Sequence, residues 1–119
     1  NVTEFLDPIF SSGVMFASVS SHLASLLVIR KLKGEQVDWD NDYTNFIRQG
    51  VDTFRSFVIA WYDGTLEKIF YSENPNPVIK RQICSVLAGY VWDDKNPFVR
   101  AHDKALRGLA KLIAVQSQK

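Results

Sequence analysis

Residues 43–62 read YTNFIRQGVDTFRSFVIAWY, and this stretch decides the fold. Tyr43, Phe46, Ile47, Val51, Phe54, Val58, Trp61 and Tyr62 recur at three- and four-residue spacing, the period of an amphipathic α-helix with one face in a core. Asp38 or Asp40 suits a cap at its start. Asp63-Gly64 marks a break or kink, after which Leu66, Ile69 and Phe70 continue the pattern. The period therefore predicts a long amphipathic helix over 38–71.

Working outward, the same helical period dominates on both sides. After Pro8 a helix is expected to open near Ser11 or Ser12, whose hydroxyls suit an N-cap. It runs through Val14, Val19, Leu23, Leu26 and Leu27 to about Lys33, with Gly34 as its stop. Apolar residues occupy nearly every face, and the polar stripe of Ser18, Ser21, Ser25 and His22 is narrow. Such a helix is normally central and contacted from several sides. Serines interrupt the run 14–32, which favours a buried helix over a membrane span. Downstream, Asn76-Pro77 reads as N-cap and first helical position of a helix over 77–92, and Asn96-Pro97 repeats the device for a helix over 96–115. The expected fold is all-α, with four main helices in a single domain over 1–119.

Composition narrows the function. The chain has 119 residues, enough for one domain with a single core. A formal net charge of +1 supplies no field to gather nucleic acid or anionic membrane, so neither is expected as a partner. Cys84 is the only cysteine, which excludes an internal disulfide and points to a reducing cytoplasm. Flanked by Ile83 and Val86, it reads as a small buried side chain. His22 and His102 have no convincing metal-ligand spacing around them, and no metal site is expected.

The residues that carry chemistry open the chain. Asn1 is followed at a short distance by Asp7-Pro8 and then by Ser11-Ser12-Gly13-Val14. A loop that ends in Ser-Ser-Gly and opens a helix presents free backbone N–H groups and the positive end of the helix dipole. Gly13 has no side chain, so a flat or anionic group can approach the backbone closely. The same residues also suit an ordinary capped helix start.

This segment resembles the second flavin-contacting motif of the FAD-dependent oxidoreductase superfamily of monooxygenases, flavin-dependent halogenases and geranylgeranyl reductases. That motif runs Gly-Asp-Ala, a few residues, Asp-Pro, two residues, then Ser-Ser/Thr-Gly-Val. Residues 57–64 (FVIAWYDG), 73–77 (ENPNP), 85–89 (SVLAG) and 96–100 (NPFVR) are similar to the C-terminal region of the same family, in the same order. The resemblance implies that Asn1, Asp7, Pro8, Ser11, Ser12, Gly13 and Val14 contact FAD, and in a halogenase that Ser12 and Gly13 also contact a halide. Two departures are visible. Asn1 stands where the family has an Asp on the flavin ribityl chain, and Phe10 stands where tryptophan halogenases have a catalytic Glu.

No Gly-x-Gly-x-x-Gly follows a strand, so the Rossmann-type unit that binds adenine and pyrophosphate is absent from this sequence. The chain is expected to be the substrate-side, C-terminal part of a larger enzyme acting on a hydrophobic or aromatic small molecule. Its partner would be a missing N-terminal FAD-binding domain. Alone, it is expected to be inactive and to self-associate through Phe5, Phe10, Met15 and Phe16. Its catalytic residues are not identifiable here. The rival expectation is a free-standing helical protein-interaction module without chemistry.

Overall fold

The structure is a computed structural model and describes residues 6, 10, 12–73 and 76–116. It is all-helical, with no strand among the described residues. In chain order come α1 (Ser12–Leu32), a short π-helical segment (Asp40–Asn45), α2 (Phe46–Tyr62), α3 (Thr65–Phe70), α4 (Pro77–Leu87), α5 (Pro97–Arg100) and α6 (His102–Gln116). Two compact units divide the chain within α2, Asn1–Asp52 and Thr53–Lys119.

In the first unit α1 packs against the π-helical segment. Its end is a Schellman motif: Gly34 takes φ 86°, its N–H donates to Lys31 O and that of Glu35 to Arg30 O. Arg30 then reaches Glu35 at 3.0 Å and Asp42 at 3.9 Å. Asp38 organises the next turn. Its carboxylate accepts from the backbone N–H of Asp40 and Asn41 and, at 2.6 Å, from the Asn41 side-chain amide. These bonds, those from Asn41 foremost, hold the Asp38 carboxyl below its ordinary pKa.

The expectation of a central α1 is corrected. Of its side chains only Ser12 and Leu27 are buried, while Val14, Leu26, Val28, Ile29 and Leu32 (82% accessible) are exposed. With apolar residues on nearly every face, its packing within the unit leaves half of them exposed. The helix is long and apolar enough to cross a membrane by length and composition.

In the second unit α3 and α5 pack on α6, and α4 packs on α5. Phe54, Phe57, Leu66, Ile83, Val86, Val91 and Leu106 form its fully buried centre. Asn76 caps α4 by accepting from the N–H of Val78 and Ile79, and Asn96 caps α5 by accepting from Phe98 N–H. Asn96 is itself buried, and its Nδ2 donates to Gln82 O at 2.9 Å, so one side chain joins α4 to the start of α5.

The helices are shorter than their periodicity suggested. The 38–71 run is divided between the π-helical segment, α2 and α3, with Gly64 at φ 78° between the last two. The 77–92 helix ends at Leu87, because Gly89 (φ 102°) closes a second Schellman motif through Gly89 N–H to Val86 O and Tyr90 N–H to Ser85 O. The 96–115 helix breaks at Ala101, whose ψ of 45° leaves the helical range. Cys84 is exposed rather than buried, and Trp61 and Tyr62 lie at the surface rather than in the core.

Candidate functional site

The start of α1 is the described part of the site read in the sequence. Ser12 is its first residue and is 3% accessible, Gly13 follows half-buried, and Val14 stands 72% accessible. Asn1, Asp7, Pro8 and Ser11 lie outside the described residues, as does Phe5. The first N–H groups of an α-helix have no intrahelical acceptor. Here no acidic residue occupies the first turn, while Arg30 and Lys31 occupy the last. The basic residues offset the negative pole of the helix and nothing in the first turn offsets the positive one. That end suits an electron-rich or anionic group, and Gly13 adds no side chain to obstruct it.

Two serines of the polar stripe along α1 are accounted for locally. Ser21 Oγ donates to Ala17 O at 2.8 Å and Ser25 Oγ to His22 O at 2.7 Å. Such back-bonding satisfies the hydroxyls within the helix itself.

Three arrangements in the second unit had no signal in the sequence. Ser56 Oγ and His102 Nδ1 lie 2.7 Å apart and tie α2 to the start of α6. Asp63 accepts from Thr65 N–H at 2.9 Å and faces Arg107 at 3.9 Å, while Arg107 is held by Asp103 at 2.8 Å. Hydrogen bonds from Thr65, with Arg107 and Lys68 nearby, hold the Asp63 carboxyl below its ordinary pKa. Trp61, Phe70 and Tyr71 line a surface cleft with Glu67. No group of three His, Cys, Asp or Glu residues able to hold a metal occurs among the described residues.

The described residues are all helical, and the first turn of α1 carries a glycine and no acidic residue. Comparison with known proteins is more specific. The chain is similar to a flavoprotein/dehydrogenase from Cytophaga hutchinsonii known from its crystal structure, with 55% identity and a TM-score of 0.91 over 96% of this chain and 28% of that one. It is also similar to a 1H-pyrrole-2-carbonyl-(peptidyl-carrier protein) chlorinase of Pseudomonas fluorescens, with 30% identity over 97 residues, which is 80% of this chain and 21% of the chlorinase. No family model matches. The resemblance to the FAD-dependent oxidoreductase superfamily is borne out by both relatives, and the chain spans less than a third of the length of either.

Proposed function

We propose that the chain is the C-terminal, substrate-side part of an FAD-dependent oxidoreductase of the monooxygenase, halogenase and geranylgeranyl-reductase type, and that it does not catalyse alone. The observation that carries the reading is the likeness to the Cytophaga flavoprotein, at 55% identity along nearly the whole chain. The helix start at Ser12-Gly13 agrees with it. In the complete protein the segment 7–14 would face the isoalloxazine, with N–H groups at the start of α1 directed to its electron-rich edge. FAD, when bound, would supply the redox chemistry. A halide would sit beside Ser12 and Gly13 if the enzyme halogenates. The exposed apolar face of α1 is then the seat of the flavin-binding domain, and a hydrophobic or aromatic small molecule is the substrate class.

The test begins with the coding sequence upstream of Asn1, where a strand followed by Gly-x-Gly-x-x-Gly is expected. The complete protein should purify with flavin absorbance and the 119-residue chain without it. Gly13→Val in the complete protein should weaken FAD binding at least about tenfold, equivalent to about 1.4 kcal/mol, with the helical circular dichroism unchanged. A start codon a few residues before Asn1, or unchanged FAD affinity in Gly13→Val, would overturn the reading. The former outcome would favour a helical interaction module.

A further inference from the structure

A groove of about 280 Å³ lies in the second unit between α3, α4 and α6. Its walls are aliphatic: Ile69, Ile79, Leu109, Leu112 and Ile113. The polar groups along it are hydrogen-bond donors more than acceptors. Lys80 lines the groove, and its ammonium lies 5.6 Å from the centroid of the Phe70 ring, a cation–π contact. Asn76 has its Oδ1 engaged by Val78 and Ile79 N–H, which leaves its NH₂ as the group to offer a ligand. Ser72 Oγ donates to Ile69 O. No carboxylate lines the groove, and Lys80 forms no ion pair among the described residues.

Aliphatic walls with a cation and an amide donor, and with no counter-charge, complement one chemistry. We propose that this groove binds a linear aliphatic anion, a carboxylate-headed hydrocarbon chain. Its head lies at Lys80 and Asn76, and its tail lies along Leu109, Leu112 and Ile113. A neutral apolar ligand would gain nothing from the ammonium, which water and the Phe70 ring already attend, and a cationic one would meet a like charge. The groove shares no residue with the start of α1, so the inference stands or falls separately from the flavin reading.

Decanoate, below its micelle-forming concentration, is the probe, titrated into the protein and followed by calorimetry. One saturable site is expected. Affinity should rise about three- to fourfold per methylene from octanoate to decanoate, as burial of each methylene in an apolar groove requires. Decyltrimethylammonium, with the same tail and the opposite head, should bind more weakly than decanoate. Lys80→Gln should lower decanoate affinity about two- to fivefold, the range of an exposed ion pair, and should remove its salt dependence. Lys80 and Leu112 are both exposed, so Lys80→Gln and Leu112→Asp leave the core intact. Leu112→Asp should abolish binding by placing a like charge on the wall. Equal affinity for the two head groups, insensitivity to both substitutions, or the absence of saturable binding would each overturn the proposal.

Discussion

Two asparagines with the same local role carry different burdens. Among the described residues the Asn76 side chain uses only its carbonyl oxygen, to cap α4, whereas Asn96 uses its oxygen to cap α5 and its amide to hold Gln82 O. Asp caps a helix as well as Asn does, so Asn76→Asp should change stability by no more than about 0.5 kcal/mol. Asn96→Asp keeps the cap but sets a carboxylate oxygen against the Gln82 carbonyl in a buried place, and should cost about 1–3 kcal/mol. Urea unfolding of the two variants at pH 7 measures the difference, and equal midpoints would refute it. Both caps were legible, because Asn-Pro before an apolar run is a local signal. The second bond of Asn96 was not, since it spans 14 residues and depends on where α4 stops. Ser56 and His102 escaped for the same reason on a longer scale.

Among the elements, the glycines set the helix ends. Gly64 sits at φ 78° between α2 and α3, so a Cβ there is strained although it meets no neighbour, and Gly64→Ala should cost about 1–2 kcal/mol. Gly108 lies inside α6 with open space at its Cβ, and Gly108→Ala should stabilise by about 0.5–1 kcal/mol. Thermal unfolding of the pair should shift in opposite directions, and a shared sign would refute the assignment. The helical period gave the existence of each run and the all-α class, because periodicity is repeated over many residues. It did not give the stops at Leu87 and Ala101, which depend on a few backbone angles. Nor did it give depth: Trp61 and Tyr62 keep the spacing of a buried face yet lie at the surface. Of the candidate site, the helix start at Ser12-Gly13 was readable locally. The expectation of a flavin there rests on the order of several blocks and not on the spacing alone.

At the scale of the whole molecule the dominant feature is α1, about 31 Å long at 1.5 Å per residue, with Leu26, Val28, Ile29 and Leu32 exposed together near its C-terminal end. Contiguous apolar surface of this kind associates in water. The 119-residue chain should therefore self-associate as its concentration rises. Ile29→Lys with Leu32→Glu, both at exposed positions, should restore the monomer in light scattering. A monomer at all concentrations without the substitutions would contradict this account. Met15 and Phe16, expected to lead the contact, are only half-buried, whereas Leu26, Val28, Ile29 and Leu32 offer the larger surface. Covering that surface is what the complete flavoenzyme would do in the function proposed for the chain.

The two capping asparagines also bear on how the protein ages. An asparagine side chain is lost when the nitrogen of the following residue attacks its amide carbon, a step that needs a hydrogen on that nitrogen. Asn76 and Asn96 are each followed by proline, whose nitrogen carries none. The residue that presets the first helical turn thus also shields the cap beside it from deamidation. Both joints of the second unit should outlast any asparagine followed by an ordinary residue in a mobile stretch.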